Sequence, residues 1–140
     1  MEAHHHYLLD SNIASFIIKG HPKEVRQHLL TVPMGSVFIS SITEAELRRG
    51  VERKPLAKTL AAAVEAFLLR VEILAWDSKA AKAYARLRTL SGKSGITLGT
   101  MDMLIAAHTM SVGAILVTHD KAFSHLSSHI KYVDWTQRAI

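Results

Sequence analysis

The segment Tyr7-Leu8-Leu9-Asp10-Ser11-Asn12 carries the clearest fold signal in the sequence. A short apolar run followed by residues that favour turns and helix caps predicts a buried strand leading into a helix. In α/β proteins, ligands bind at this carboxyl end of a strand. Taken alone, Asp10 is better explained as the N-cap of the following helix. A role as a ligand depends on whether other acidic residues lie at the same edge of the sheet.

Strand-like and helix-like segments alternate along the remaining sequence. Further β-rich runs occupy residues 36–40, 73–76, 114–118 and 130–133. Between them, apolar residues recur at helical spacing, which predicts helices at about residues 13–18, 22–32, 43–51, 60–71, 80–87 and 99–112. This alternation predicts an α/β fold with three α/β/α layers around a central, mainly parallel sheet. The first and fourth strands are expected near the middle of that sheet.

Two local features complete the predicted course of the chain. Thr43 and Glu46 have the spacing of a capping box, which predicts that the third helix opens at Thr43. The turn-rich segment Ser91-Gly92-Lys93-Ser94-Gly95 is predicted to be a loop. It does not match a phosphate-binding loop, because Leu87 stands where that pattern needs its first glycine.

Length and composition indicate one globular domain. The 140 residues are 49% hydrophobic and 21% charged, and we assign residues 7–140 to a single domain. Residues 1–6 are predicted to be a tag or a disordered start, with native histidines at His4–His6 as the alternative. The absence of cysteine excludes disulfides, thiolate metal sites and a cysteine nucleophile.

The same composition bears on location and partners. No apolar run reaches the roughly 20 residues that cross a bilayer, and the first residues lack the apolar stretch of a secretory signal. We therefore expect a cytoplasmic protein that does not bind membranes. The net charge of +5 suits a polyanion such as nucleic acid, although many ordinary domains are equally basic.

Acidic residues follow several of the predicted strands. Asp10, Asp77 and Asp120 each come directly after a strand, whereas Glu46 and Asp102 lie near the starts of helices. In a parallel sheet, all five would lie near one edge. Carboxylates gathered without cysteine are ligands for a hard divalent cation such as Mg²⁺. The pattern therefore indicates a metal-dependent enzyme that acts on phosphodiesters.

Each acid also has a purely structural explanation. Glu46 would complete the capping box, Asp102 would favour the positive end of its helix, and Asp120 would form a turn. Asp77 opens an alanine-rich helix, so we interpret it as an N-cap and set it aside. Glu44 is interpreted as a solvated neighbour of Glu46.

Other candidate chemistries lack their motifs. No serine lies in a Gly-x-Ser-x-Gly turn, although a Ser-His-Asp triad is not excluded by sequence alone. His108 lies within a predicted helix and is interpreted as a packed or surface residue. His119 lies nearer the predicted pocket, and a contact with substrate is the minor interpretation.

Four separated motifs resemble those of the PIN-domain ribonucleases, and most closely the VapC-type toxins of bacterial type II toxin-antitoxin pairs. The resemblance extends over nearly the whole chain, from Tyr7 to Trp135. Its motifs, in the family's order, are residues 7–12 (YLLDSN), 39–50 (ISSITEAELRRG), 99–108 (GTMDMLIAAH) and 116–120 (LVTHD).

The resemblance implies both a site and an activity. It assigns the family's catalytic and metal-binding acids to Asp10, Glu46, Asp102 and Asp120, with Mg²⁺ or Mn²⁺ as the cofactor. It implies hydrolysis of RNA, with tRNA as the substrate class. Ser11, Asn12 and Thr118 would orient ligands or water molecules. It further implies a homodimer and a cognate antitoxin protein.

Two residues depart from the family pattern, and two other functions stay open. Ser11 stands where the family usually has Thr, and Asp120 stands where the toxins often have Asn. The added charge of Asp120 bears on whether one or two metal ions bind. The alternatives are a non-catalytic PIN-like module that binds RNA and a receiver-like domain that accepts phosphate on an aspartate.

Overall fold

The computed structural model describes residues 5–94 and 98–138. Within these ranges the chain forms five strands, which are β1 (Tyr7–Leu9), β2 (Val37–Ser40), β3 (Glu72–Leu74), β4 (Ile115–Val117) and β5 (Lys131–Val133). It also forms six α-helices, which are α1 (Ser11–Lys19), α2 (Lys23–Leu29), α3 (Ser41–Glu52), α4 (Lys58–Arg70), α5 (Ser78–Ser94) and α6 (Thr100–Val112). Two short 3-10 helices precede β2 and follow β4, at Met34–Ser36 and Lys121–Leu126.

The five strands form one parallel sheet in the order β3-β2-β1-β4-β5. Strand β1 lies in the middle, where Leu8 pairs with Phe38 of β2 and with Leu116 of β4. The strand order changes direction between β1 and β4, and such a switch point opens a crevice at the carboxyl ends of the strands. The predicted parallel sheet, with the first and fourth strands at its centre, is confirmed.

Helices cover both faces of the sheet. Because side chains alternate along a strand, Leu8 faces one layer and Leu9 the other, and neither has any exposed surface. Leu8 belongs to a core that includes residues of α5 and α6, whereas Leu9 belongs to a core that includes residues of α1, α2, α3 and α4. The predicted three-layer α/β/α architecture is therefore confirmed.

Several predicted helix ends are also confirmed. Gly20 and Gly113 end α1 and α6 in the left-handed conformation, with φ of 81° and 65°. Glycine adopts this conformation without a steric penalty. None of the helices within residues 5–94 and 98–138 is long and apolar enough to cross a bilayer.

The predicted start of the third helix is wrong. Helix α3 begins at Ser41, and its N-cap is Ser40, whose Oγ accepts a hydrogen bond from the Ile42 N–H over 3.1 Å. Thr43 therefore lies inside the helix, where it is fully buried. Its spacing to Glu46 resembles a capping box, but the strand already ends at a serine that can cap the helix.

The predicted loop at residues 91–95 is also wrong for residues 91–94, which continue α5. Ser91 is buried four residues after the fully buried Leu87, so both lie on the packed side of the helix. Gly92 lies on the exposed side, where the low helix propensity of glycine costs about 1 kcal/mol. Packing therefore outweighs the local turn signal, whereas Gly95 lies outside the described residues.

The central strand provides a test of this core. We expect Leu8→Ala to lower the free energy of unfolding by about 2–5 kcal/mol, because it leaves a cavity on a fully buried strand. Urea denaturation followed by circular dichroism measures the change. Leu69→Ala is the matched control, since Leu69 is 86% exposed and its truncation should change stability by about 0.5 kcal/mol or less. Equal losses in the two variants would contradict the assigned core.

Candidate active site

Asp10 lies at the carboxyl end of the central strand and is both a helix cap and a buried acid. Its backbone N–H donates to the Val117 carbonyl over 3.0 Å, which continues the pairing with β4. Its side chain accepts from the Ile13 N–H over 2.9 Å and thereby caps α1. Only 6% of Asp10 is exposed. The explanation as a cap is therefore correct, but it does not account for the burial of a carboxylate at the switch point.

The surroundings of Asp10 make its charged form costly. The pKa of Asp10 is raised to about 6, mainly by burial and to a smaller extent by the negative charges of Asp102 and Asp120. Hydrogen bonds from the Thr118 hydroxyl and the Ile13 N–H lower the pKa and partly offset the burial. Among the described residues, none of the groups that shift the pKa of Asp10 is a cation that would stabilise its carboxylate.

Thr118 connects the acids that follow β1 and β4. Its side chain is buried, its hydroxyl is hydrogen bonded to Asp10, and its Oγ1 accepts the Asp120 N–H over 3.0 Å. Asp120 then caps the following 3-10 helix by accepting the Ala122 N–H over 2.9 Å. Asp120 therefore forms the predicted turn and also lies near enough to Asp10 to affect its pKa.

Glu46 reaches the same site from α3. Ser11 Oγ donates to Glu46 Oε1 over 2.5 Å, although the two residues are 35 positions apart. Since Ser11 is the first residue of α1, this contact fixes Glu46 against the helix that Asp10 caps. Glu44 lies apart from this contact, because its carboxylate accepts from Arg48 Nε over 2.9 Å.

Asp102 completes the group of four acids from the first turn of α6. Burial raises the pKa of Asp102, and the charges of Asp120 and Glu46 raise it further. Asp102 is therefore electrostatically coupled to Asp120 and Glu46. Asp10 is coupled in the same way to Asp102 and Asp120. These couplings place the four carboxylates, which come from the ends of β1 and β4 and from α3 and α6, near one another.

The remaining candidates have different surroundings. Asn12 is exposed, and its side chain forms no hydrogen bond within the described part of the chain. Asp77 caps α5 by accepting the Ala80 N–H over 3.1 Å, as its sequence context indicates. His108 is buried, and its Nδ1 lies 2.8 Å from Ser40 Oγ. Burial lowers the pKa of His108, so the neutral ring can accept from that hydroxyl, in a packing role.

His119 has a partner that the sequence analysis did not assign. Its Nδ1 lies 3.0 Å from Asp134 Oδ2 and 3.0 Å from Thr136 Oγ1. Burial alone would raise the pKa of Asp134, but hydrogen bonds from Thr136 and His119 lower it below its ordinary value. Asp134 directly follows β5 just as Asp10 follows β1, so its position in the sequence could have identified it. Its carboxylate is already occupied by these partners.

The chemistry of the four acids fits a hard divalent cation. Within the described ranges, no three acidic or histidine side chains are close enough to form a ready-made metal cage. Mg²⁺ does not require such a cage, because it commonly binds one or two carboxylates and keeps several water molecules. A charge-coupled set of oxygen donors, of which Asp10 is buried, is compatible with that mode of binding.

Comparison with known proteins identifies the family and agrees with the fold. The family model described as PIN domain matches residues 7–128. The tRNA(fMet)-specific endonuclease VapC of Shigella flexneri is 32% identical over 130 residues, which cover 93% of this chain and 98% of that protein.

Solved structures with the same fold include DNA-bound VapBC from Salmonella typhimurium, with a TM-score of 0.86 and 32% identity. That match covers 94% of this chain and 98% of the other. VapBC-5 from Mycobacterium tuberculosis, a member of the VapBC family of toxin-antitoxin systems, matches with a TM-score of 0.69 and 27% identity, covering 94% and 97%.

A doubly wound parallel sheet with four acids at its switch point, together with these matches, defines the class of protein. The chain belongs to the PIN-domain family and, within it, to the VapC ribonucleases.

The raised pKa of Asp10 predicts how stability changes with pH when divalent metal is removed. The unfolded carboxyl loses its proton near 3.8, whereas the folded one keeps it until about 6. The folded state binds more protons between these values, so this contribution to stability is lost as pH rises through about 6. Asp10→Asn keeps the acceptor for the Ile13 N–H but cannot titrate. Its free energy of unfolding, compared with that of the wild type, should therefore increase by up to about 3 kcal/mol when the pH is raised from 4 to 7.5.

Denaturation in EDTA at both pH values measures this difference, and Asp77→Asn is the control. Asp77 has a lowered pKa, chiefly because of the Ala80 N–H, so it is largely ionised in both the folded and unfolded states above pH 4, and its replacement should show little pH dependence between the two pH values. A gain in Asp10→Asn that does not depend on pH would contradict the assignment.

Proposed function

We propose that the chain is a metal-dependent endoribonuclease in which Asp10, Glu46, Asp102 and Asp120 hold Mg²⁺ or Mn²⁺. The observation that supports this proposal is the buried carboxylate of Asp10, whose neighbours are acids rather than cations. A bound divalent ion would supply the missing positive charge. The membership in a family of ribonucleases provides the reaction class.

The residues around the acids have distinct tasks in this proposal. When bound, the cation supplies Lewis-acid chemistry, which neutralises charge on the scissile phosphate and favours deprotonation of the attacking water. Thr118 holds the Asp10 carboxyl by its hydroxyl, and Ser11 holds Glu46 at 2.5 Å. Asn12 is exposed near the helix start, so it is available to contact water or substrate.

We propose tRNA as the substrate class. The Shigella flexneri relative is named as a tRNA(fMet)-specific endonuclease, and its match covers nearly all of both chains. The net charge of +5 favours association with a polyanion. RNA recognition depends on loop shape and unstacked bases, so the identity of the tRNA requires sequencing of the cleaved fragments.

Regulation by an antitoxin is part of the same proposal. An apolar groove of about 740 Å³ lies between α1, α2 and α4 and is lined mainly by Ile17, Ile18, Leu29, Leu30, Met34 and Phe67. Leu30 is 74% exposed in this groove, and Met34 is 42% exposed. An exposed apolar surface of this kind suits a protein partner. The related VapBC-5 belongs to a family of toxin-antitoxin systems, so we propose an antitoxin as the occupant.

A homodimer and a cytoplasmic location stay predictions. Analytical ultracentrifugation of the chain without antitoxin tests the first, and fractionation of cells that express it tests the second. A small neighbouring gene that encodes a DNA-binding antitoxin would support the proposed biological role.

Replacement of Asp10 tests the metal-dependent reaction. We expect Asp10→Asn to reduce RNA cleavage in Mg²⁺ by about 10³-fold or more, since one carboxylate ligand and its charge are lost. We also expect Mg²⁺ to raise the melting temperature of the wild type but not of this variant. Fragment analysis of a tRNA pool and thermal denaturation measure the two effects.

Asp77→Asn is the matched control, because Asp77 is an exposed cap outside the acid group and should keep both responses. Full cleavage in EDTA, or by Asp10→Asn, would contradict the proposed mechanism. RNA binding by the wild type without cleavage in Mg²⁺ or Mn²⁺ would instead favour the non-catalytic module.

Replacement of Leu30 tests the apolar groove. Leu30→Glu should keep ribonuclease activity but weaken inhibition by the antitoxin at least tenfold, because it places a charge on the apolar contact surface. Inhibition titrations measure the change. Leu56→Glu is the control, since Leu56 is 92% exposed and lies outside the groove. Equal inhibition of both variants would contradict the assigned groove.

A further inference from the structure

A second, smaller cavity lies beside Glu46, on the side of α3 that faces α1 and α4. It has a volume of about 250 Å³ and is lined by Lys19, Arg53 and Lys54 together with Ser15 and Glu46. We call this cavity the basic pocket. It shares Glu46 with the candidate active site, so a chain that crosses the acids can continue directly into it.

The cations of the basic pocket come from two helix ends. Lys19 is the last residue of α1, whereas Arg53 is the C-cap of α3 and Lys54 follows it. Cations at helix C-termini also offset the partial negative charge of the helix dipole, which is a purely structural reason for their presence. That reason does not explain why the ends of two separate helices open into the same cavity.

These three cations are available for a ligand. None of them forms an ion pair with an acid in residues 5–94 or 98–138, and all three are exposed. Arg48 of the same helix differs, because it pairs with Glu44 at 2.9 Å and with Glu65 at 2.6 Å. Glu46 is itself held by Ser11. The basic pocket therefore carries more positive than negative charge at its rim.

We propose that the basic pocket binds a backbone phosphate of the RNA, next to the phosphate that is cleaved. This inference rests on the proposed ribonuclease function and adds a substrate-binding subsite to it. Lys19, Arg53 and Lys54 contact the phosphate oxygens and thereby position the strand over Glu46. Phosphate contacts fix the register of a nucleic acid without reading its sequence.

The lining of the pocket supports a contact with backbone rather than base. Its other walls are Ile18, Leu47, Gly50, Leu60 and Val64, and none of the lining residues is aromatic. Unpaired bases are held mainly by stacking on aromatic rings, and this lining offers a base only aliphatic side chains and the guanidinium of Arg53. The subsite therefore adds affinity without choosing among RNA sequences.

The test measures RNA binding apart from cleavage. The variant Lys19→Gln/Arg53→Gln/Lys54→Gln is made in the Asp10→Asn background, and its binding to a labelled single-stranded oligoribonucleotide is followed by anisotropy between 50 and 200 mM salt. The slope of log K against log salt should fall by about 0.7 for each phosphate contact removed, and the affinity should fall by about fivefold per contact at 0.1 M salt.

The control variant is Lys79→Gln/Lys82→Gln/Arg86→Gln in the same background. These residues are exposed on α5, which packs against the opposite face of the sheet from the pocket. The control substitutions remove the same number of lysines and arginines as the pocket substitutions do. The control should keep most of the affinity and the salt slope of its parent. The single substitution Lys54→Gln in the same background is a milder pocket variant. Because Lys54 lies beyond the end of α3, this substitution should have little effect on folding.

Equal affinities and slopes for the pocket and control variants would overturn the phosphate subsite. Weaker binding of the antitoxin with unchanged RNA binding would also overturn it, because the pocket would then hold an acidic peptide. Loss of RNA binding in the pocket variant supports the subsite even if the wild type fails to cleave RNA. That result would reject the proposed reaction but not the pocket.

Discussion

The structure depends on the burial of the short central strand β1 between two parallel neighbours. Leu8 and Leu9 are fully buried in opposite layers, and the strand ends at Asp10, whose N–H still pairs with Val117 of β4. The backbone then has to leave the sheet, and the Asp10 side chain caps the outgoing helix. One residue thus ends the strand, starts the helix and carries a charge into a buried position. Its raised pKa is the electrostatic consequence of that geometry.

Parallel topology explains how distant segments supply the other acids. Each parallel strand begins at the same edge of the sheet and ends at the opposite edge, so the turns that follow β1, β2 and β4 lie side by side. Asp10 and Asp120 come from two of these turns, whereas Glu46 lies in the helix after β2. Their mutual repulsion persists because the layers on both sides of the sheet fix the backbone. The free energy of the two cores therefore maintains a site that is unfavourable by itself.

Sequence patterns predict the parts of this arrangement that depend on local order. The run Tyr7-Leu8-Leu9-Asp10 predicts a strand followed by a cap, and the glycines at 20 and 113 predict helix ends, because burial and left-handed backbone have strong residue preferences. The start of α3 and the helical course of residues 91–94 were predicted wrongly. In the first case Ser40 at the end of β2 caps the helix before Thr43 is reached, and in the second the burial of Ser91 favours the helix over the local turn signal.

Contacts between residues that are distant in the sequence could not be predicted from these local patterns. The hydrogen bond from Ser11 to Glu46, and the contact of Lys19 and Arg53 with one cavity, both depend on how α1 packs against α3. The first contact fixes an acid at the site, and the second gathers positive charge beside it. A polyanion that entered over Glu46 would meet the proposed metal-binding carboxylates on one side and, on the other, cations that form no ion pair within the described part of the chain. The two proposals are therefore complementary, since a metal ion would offset the negative charge of the acids and a phosphate backbone would offset the positive charge of the basic pocket.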